Sequence, residues 1–324
     1  MTAAPLRLPA RALPAAVLAA VALLAAGCGS SSSSSSNPDA IKVVATTTQL
    51  GDIVRAIGGV AVDVHQILRP NTDPHDYEPR PRDIQETADA KVVVTSGDGL
   101  DHWMGEVVDN AGGSPAVLDA SEGQPVSRPG EDGEGSVDPH WWHDPRNVEH
   151  AIGAIRDALV KADPEQRDAI ERGAAAYLTK VKAMDAAIAT CFAAVPEAQR
   201  KLVTDHDAFG YFAARYGLDV VGAVIPSQTT QAQPSAGDLA KLVATIKREQ
   251  VKAIFPESSI NSKLAKAIAR QTGASADHQL YGDTLGPAGS AGDTYVKMEV
   301  ANANAMIEGF TGGARHCAPA PAAP

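Results

Sequence analysis

Apolar and polar positions follow two different periods along the chain, and together they predict strands and helices in alternation. Residues 41–46 (IKVVAT) and 91–95 (KVVVT) are short β-branched runs of the kind that form buried strands. Residues 60–68 (VAVDVHQIL) alternate with the period of a strand, whereas residues 50–57 and 82–88 fit helices. Strand, helix and strand in this order are typical of α/β layers built around a parallel sheet.

The same pattern recurs in the second half of the chain. Residues 42–58 (KVVATTTQLGDIVRAIG) align without a gap with residues 201–217 (KLVTDHDAFGYFAARYG), and 91–94 match 252–255 in type. Chance similarity between two buried βα units is the alternative explanation. The shared order and lengths of the segments favour two similar α/β lobes with parallel sheets.

A long helix is predicted between the two halves. Asp163 suits a cap, Pro164 suits the first helical turn, and Pro196 stops the helix. The 32 residues from 164 to 195 would span ~48 Å, which predicts a rigid link rather than a hinge. One apolar stripe follows a single face of this helix: Ile170, Ala174, Tyr177, Val181, Met184, Ile188 and Phe192.

These patterns divide the chain into segments. The predicted segments are an N-terminal lobe at 41–162, the linking helix at 163–196, a C-terminal lobe at 197–316 and an Ala/Pro tail at 317–324.

The N-terminus is typical of an export signal. Residues 1–27 combine two arginines with a 12-residue apolar run at 15–26, which is too short for a membrane span of ~20 residues. The run ends in LAAGC, which resembles the bacterial lipobox and predicts diacylglycerol attachment at Cys28. The alternative is a plain signal peptide with a stray cysteine. The Ser-rich stretch 28–40 suits a flexible tether, so the lipid would anchor the domain to the cell membrane, outside the cytoplasm.

Charge and cysteine content narrow the possible partners. The net charge of −11 repels phosphate backbones and argues against nucleic-acid binding. Beyond Cys28 only Cys191 and Cys317 remain, an even pair that favours a disulfide in an oxidising compartment. The alternative is two unpaired cysteines, one buried and one in a loose tail.

Three of the nine histidines lie in loops beside Asp, Pro and aromatic residues. They are His75 in DPHDYEP, His140 in DPHWWHDP and His206 in TDHDAF, which follows a predicted strand. Three imidazoles leave one position of a tetrahedral zinc site open, and Asp283 in YGDTLG is the candidate for it. The gaps of 65, 66 and 77 residues exclude a local zinc-finger spacing, and spacing alone does not decide whether a site exists.

These motifs resemble those of the metal-specific substrate-binding lipoproteins of ABC transporters, the ZnuA/TroA-like group (solute-binding protein family 9), of the zinc type. The resemblance runs from about residue 41 to about residue 310, with the motifs in the family's order. It implies two Rossmann-like lobes joined by a long rigid helix, with one metal ion between them. The implied ligands are His75, His140, His206 and Asp283. The implied partners are an ABC permease and its ATPase, bound by a monomeric receptor.

The third ligand position bears most on the identity of the metal. Zinc-type relatives have a histidine there, as His206 is here, and three imidazoles with one carboxylate favour Zn²⁺ over Mn²⁺. A manganese receptor or a broader divalent-metal receptor is the alternative. Zinc-type relatives often carry a His-rich loop, but the corresponding residues 119–137 contain no histidine. We therefore expect an ordinary solvated acidic loop there.

Several neighbouring residues have no assigned role at this stage. His143 competes with His140, either beside the site or facing solvent, and Glu257 is either a spare carboxylate or a helix cap. The candidates to orient the imidazoles are Asp76, Glu78, Asp205 and Asp207. We expect metal capture to weaken as pH falls through about 6–7, the usual histidine range.

Two other functional classes fit the sequence less well. A zinc hydrolase needs an open coordination position and a general base, but four protein ligands would fill the site and no HExxH motif is present. A surface adhesin would need an adhesive module, and the sequence offers no separate one. We therefore expect a receptor rather than an enzyme.

Overall fold

The computed structural model describes residues 1–2, 37, 39–130 and 137–317. Residues 3–27 of the predicted signal peptide, Cys28 and the tether up to residue 36 lie outside the described residues, as does the tail from 318 onward. Within the described part of the chain, no helix combines the length and the apolar character needed to cross a membrane.

The first lobe is built on a four-stranded parallel sheet in the order β2-β1-β3-β4. Its strands are β1 Ile41–Ala45, β2 Val62–Gln66, β3 Val92–Thr95 and β4 Ala116–Asp119. Val43 lies opposite Val64 on one side and Val92 on the other, so the β-branched runs fill the centre of the sheet. The strands predicted at 41–46 and 91–95 are therefore confirmed. The strand predicted from residue 60 starts later, because a 3₁₀ turn at Gly59–Ala61 precedes it.

Helices alternate with these strands along the chain. They are α1 Thr48–Gly58, α2 Pro81–Asp89, α3 Met104–Ala111 and α4 Pro145–Ala162. Thr47 caps α1 by accepting a hydrogen bond from the Leu50 amide, and Asp144 caps α4 in the same way through the Arg146 amide. Two short 3₁₀ turns, Pro74–Asp76 and Trp141–His143, lie in the loops that contain two of the predicted ligands.

The helix between the lobes is shorter than the sequence predicted. Asp163 caps a 3₁₀ turn at Pro164–Gln166 by accepting a hydrogen bond from the Glu165 amide, and the α-helix α5 runs only from Arg167 to Ala193. Its 27 residues span about 40 Å. The predicted apolar stripe is buried along its whole length. Asp185 is buried on the same helix, where it accepts hydrogen bonds from Arg215 and Tyr216.

The second lobe repeats the architecture with a less regular sheet. Strands β5 Lys201–His206 and β6 Asp219–Ile225 pair in parallel. Single parallel bridges extend this sheet, from Thr204 to Phe255 and from Ala253 to Ser275. The strand expected at 252–255 therefore takes part through isolated bridges. The helices are α6 Gly210–Tyr216, α7 Ala236–Glu249, α8 Lys263–Thr272 and α9 Tyr295–Thr311.

One apolar core is shared between the two lobes. It includes Ile53 of α1, Ile155 of α4, Val181 of α5 and Met306 of α9, all buried. The helix α5 is thus packed along both lobes rather than suspended between them. A disulfide joins Cys191 near the end of α5 to Cys317, with their Cα atoms 5.5 Å apart, so the end of the second lobe is tied to this helix.

Candidate metal site

Four side chains from both lobes converge on one buried point. The ligand atoms of His75, His140, His206 and Asp283 all lie within 4.8 Å of one another. The Nε2 atoms of His140 and His206 are 3.3 Å apart, and Asp283 Oδ1 is 3.5 Å from each of them. A tetrahedral zinc ion with bonds of 2.0–2.1 Å separates its ligand atoms by about 3.3–3.4 Å. The spacing of these three atoms fits that requirement closely.

The fourth candidate ligand atom, on His75, lies slightly farther from the Asp283 carboxylate than the other two imidazole nitrogens do. His75 Nε2 is 3.9 Å from Asp283 Oδ2. His75 Nε2 and both carboxylate oxygens of Asp283 are buried without a hydrogen-bond partner among the described residues. Buried polar atoms are rarely left unpaired, so the chemistry of these three atoms fits a cation at the point where they converge.

His75 is positioned by its own loop. Asp73 caps the 3₁₀ turn by accepting a hydrogen bond from the His75 amide at 3.0 Å, and the other Asp73 oxygen accepts one from the Thr230 hydroxyl at 2.6 Å. Farther along the loop, the Tyr77 hydroxyl donates to Asp83 at 2.6 Å. The side chain of His75 is 8% exposed, whereas His140, His206 and Asp283 are fully buried.

His140 and His206 are each oriented by one carboxylate oxygen that accepts two hydrogen bonds from the histidine. Asp138 Oδ1 accepts hydrogen bonds from the His140 backbone amide at 3.1 Å and from its Nδ1 at 2.8 Å. Glu257 Oε1 accepts from the His206 amide and from its Nδ1, both at 2.9 Å. A proton on Nδ1 leaves the lone pair on Nε2, which is the atom directed at the common point. Each carboxylate therefore sets both the ring orientation and the tautomer needed for metal binding.

The orienting carboxylates differ from those that the sequence suggested. Asp76 and Glu78 are exposed, and Asp205 acts one step removed, since its Oδ2 accepts a hydrogen bond from the Glu257 amide at 2.8 Å. Asp138 was missed, although the triplet Asp-Pro-His recurs in the first two motifs. In both triplets the aspartate accepts a hydrogen bond from the histidine amide.

His143 lies in the core and outside the cluster. Its ring stacks on Phe209 with centroids 4.5 Å apart, and its Nδ1 is 2.9 Å from Glu299 Oε1 of α9. Both His143 and Glu299 are fully buried. Of the two positions expected for His143, the one facing solvent is therefore wrong, because the ring is buried against Phe209 and Glu299 of the second lobe.

Burial and the neighbouring acids shift the pKa values of the three histidines in different directions. Burial opposes a charge on His140, but its hydrogen bond to Asp138 and the nearby negative charge of Asp283 outweigh burial and raise its pKa to about 9. Burial also opposes a charge on His206, yet the charges of Glu257 and Asp283 raise its pKa well above the ordinary value. For His75 burial prevails and lowers the pKa to about 3.

The pKa of the Asp283 carboxylate is shifted in the opposite direction to the pKa values of His140 and His206. Burial alone would raise the pKa of Asp283, but the positive charge on His206 and the proximity of His140, each ring 3.5 Å from Asp283 Oδ1, hold it well below 3.8. Without metal, we therefore expect both rings to be protonated beside the three buried acids, and a dication can replace those two protons. The expected onset of weaker binding at about pH 6–7 therefore moves upward, toward the pKa of His140 at about 9.

Comparisons with known proteins point to one family. A family model described as “ZnuA: Zinc-uptake complex component A periplasmic” matches residues 43–309. The manganese-binding lipoprotein MntA of Halalkalibacterium halodurans is 31% identical over 298 residues, which cover 91% of this chain and 97% of MntA. The iron-binding protein YfeA of Yersinia pestis is 31% identical over 269 residues, which cover 83% of this chain and 86% of YfeA.

Solved structures agree with the fold. The periplasmic zinc-binding protein TroA from Treponema pallidum superposes with a TM-score of 0.77 at 31% identity, covering 83% of this chain and 98% of TroA. A zinc-bound deletion mutant of ZnuA superposes with a TM-score of 0.72 at 26% identity, covering 82% of this chain and 98% of the mutant.

Proposed function

Since this chain belongs to the ZnuA family, whose members are substrate-binding proteins of ABC transporters and not enzymes, we propose that its cargo is Zn²⁺. It is a metal-binding receptor, and the proposal concerns which ion it captures and with which residues. In this proposal it binds one zinc ion outside the cytoplasm and delivers it to an ABC permease and its ATPase for uptake.

The observation that carries the proposal is the ligand set itself. His75, His140, His206 and Asp283 would bind the metal through three imidazole nitrogens and one carboxylate. Imidazole suits Zn²⁺, whereas Mn²⁺ favours carboxylate, carbonyl and water oxygens in an octahedron. Four protein ligands also complete a tetrahedron and leave no position for a catalytic water, which suits storage of an ion rather than hydrolysis.

Manganese is the second candidate, and a specific observation favours it. MntA, a relative at 31% identity, is named a manganese-binding lipoprotein. Both oxygens of Asp283 lack hydrogen-bond partners among the described residues, so a bidentate carboxylate can add a fifth ligand for a larger ion. Iron is named for YfeA, so a broader divalent receptor belongs to the same alternative.

The proposal extends to the rest of the chain. Cys28 would carry the lipid that anchors a monomeric receptor to the cell membrane, and residues 28–40 would form its tether. The proposed folded segments keep their predicted bounds, with lobes at 41–162 and 197–316 and the link at 163–196.

Metal competition tests the identity of the cargo. The chain beginning after Cys28 is stripped with a chelator, offered equimolar zinc and manganese, desalted and analysed for metal. We expect one zinc per chain in the parent and in His150→Ala, a control whose ring contacts the Glu122 carbonyl. His206→Ala should retain none. Retained manganese would overturn the zinc assignment, and loss of both metals by the parent would overturn the four-ligand site.

A further inference from the structure

Gln49 lies at the start of α1, where it joins the first lobe to the loop that carries Asp283. Its side chain is buried, and Nε2 donates a hydrogen bond to the Asp283 carbonyl at 2.9 Å. Gln49 Oε1 accepts one from the Thr48 hydroxyl at 2.9 Å, and Thr48 Oγ1 accepts one from the Leu285 amide at 2.8 Å. Two consecutive residues of the first lobe thus hold the Asp283 loop at two points.

The carboxylate of Asp283 depends on this backbone support. Asp138 and Glu257 orient the imidazoles of His140 and His206 directly, but both oxygens of Asp283 have no hydrogen-bond partner among the described residues. The direction of the carboxylate is therefore set by its backbone and by packing. Neighbouring contacts from the first lobe act on the same loop, since Trp142 Nε1 donates to the Gly282 carbonyl at 3.2 Å.

The internal repeat places Gln49 in an informative position. In the alignment of residues 42–58 with 201–217, Thr47 falls on His206 and Gln49 falls on Ala208. Both positions lie at the carboxyl end of the leading strand of their lobe, and parallel strands present such ends at one crevice. His206, the last residue of β5, is a predicted ligand, whereas Gln49, in the first turn of α1, donates a hydrogen bond to the backbone of the predicted ligand Asp283.

We propose that Gln49 is a positioning residue for Asp283, which it holds at the metal through the Asp283 carbonyl, and that it thereby sets the affinity for the ion. The inference rests on the proposed function, since it takes Asp283 as a metal ligand. Loss of a hydrogen-bond partner behind a metal ligand typically lowers metal affinity by about 10–100-fold. Because Mn²⁺ relies more on oxygen ligands than Zn²⁺ does, the ratio of zinc to manganese affinity should rise when Asp283 is released.

Two substitutions separate positioning from general packing. Gln49→Met keeps the length of the side chain but cannot donate or accept, and Gln49→Glu keeps an acceptor for Thr48 but cannot donate to Asp283. Gln124→Met is the matched control, because the Gln124 amide also donates to a backbone carbonyl, that of Ala120, in a loop without a predicted ligand. Zinc and manganese affinities are measured by competition with a chromophoric chelator, and thermal unfolding is followed without metal.

We expect both Gln49 variants to lose zinc affinity by about 10–100-fold, to lose more manganese affinity, and to release zinc faster. Gln124→Met should match the parent in zinc affinity, in manganese affinity and in the rate of zinc release. A Gln49 variant that unfolds earlier but binds zinc and manganese as the parent does would overturn the inference and leave the zinc proposal intact. If Gln49→Met does not fold, Gln49→Glu decides by the same measurements. A parent chain that holds neither metal would instead overturn the proposed function.

Discussion

Glu257 offers the sharpest test of how this site is organised, because a single oxygen serves two donors. Glu257 Oε1 accepts from the backbone amide and from Nδ1 of His206, and neither residue is exposed. Gln at this position keeps an acceptor oxygen of the same reach, but it removes the negative charge and places an NH₂ group where Oε2 lies. We expect Glu257→Gln to lower zinc affinity by about tenfold, the lower end of the 10–100-fold range for residues that orient a metal ligand. A tenfold loss corresponds to about 1.4 kcal/mol of binding free energy.

Glu257→Ala removes the single oxygen that accepts both hydrogen bonds and should act more strongly. Two buried donors of His206 then lack partners, and each costs about 1–3 kcal/mol, so the metal-free chain should lose about 2–6 kcal/mol of folding stability. The ring also loses the partner that fixes its tautomer, and we expect zinc affinity to fall by about 100-fold. Glu249→Gln is the control, since Glu249 pairs with Lys201 at the edge of the second lobe.

The assay combines chelator competition at pH 7.5 with denaturant unfolding of the metal-free chain. The expected order of zinc affinity is parent, Glu257→Gln and Glu257→Ala, with Glu249→Gln equal to the parent. If Glu257→Ala folds and binds zinc within threefold of the parent, the account of His206 orientation fails. If the Gln and Ala variants lose equal affinity, charge rather than hydrogen-bond geometry is the quantity that matters.

Four further predictions concern proton release, the pH dependence of stability, the disulfide and the most accessible predicted ligand. Zinc binding at pH 7 should release about two protons, because the raised pKa values keep His140 and His206 protonated in the metal-free chain. Calorimetry in buffers of different ionisation enthalpy measures the number of protons released, and a release of none would contradict this prediction. For the same reason the metal-free chain should lose stability as pH rises from about 6.5 through 9, the pKa of His140, which thermal unfolding across that range would detect. Opening the Cys191–Cys317 disulfide, which spans 126 residues, should cost up to about 5 kcal/mol of folding stability but leave zinc affinity unchanged; equal unfolding midpoints with and without reductant would refute this. His75→Ala should lose more than about 100-fold in zinc affinity with little change in metal-free stability, because its Nε2 has no hydrogen-bond partner among the described residues; a large drop in unfolding temperature would refute this.

Local sequence patterns predicted much of the framework. The β-branched runs became β1 and β3, and the apolar stripe from Ile170 to Phe192 became the buried face of α5. These features depend on period and residue type, which a single sequence displays directly. The 3₁₀ turn at Pro164–Gln166 was missed because an aspartate before a proline suits a 3₁₀ turn as well as an α-helix.

The surroundings of the site were harder to predict, since they depend on contacts between distant segments. Glu257 is 51 residues from His206, and Gln49 is 234 residues from Asp283. No local pattern marks such pairs before the lobes are assembled. His143 shows the same difficulty, because only the packed structure reveals that α9 supplies Glu299 as its partner.

Zinc K-edge X-ray absorption of the loaded chain tests the central claim most directly. The account predicts one zinc per chain with three nitrogen ligands and one carboxylate at about 2.0–2.2 Å, and a spectrum that keeps its imidazole scattering in a Gln124→Met control. In His206→Ala that still holds zinc under excess metal, one imidazole should be replaced by a light oxygen ligand. A parent spectrum with six oxygen ligands, or with the same imidazole count in His206→Ala, would contradict the four-ligand site.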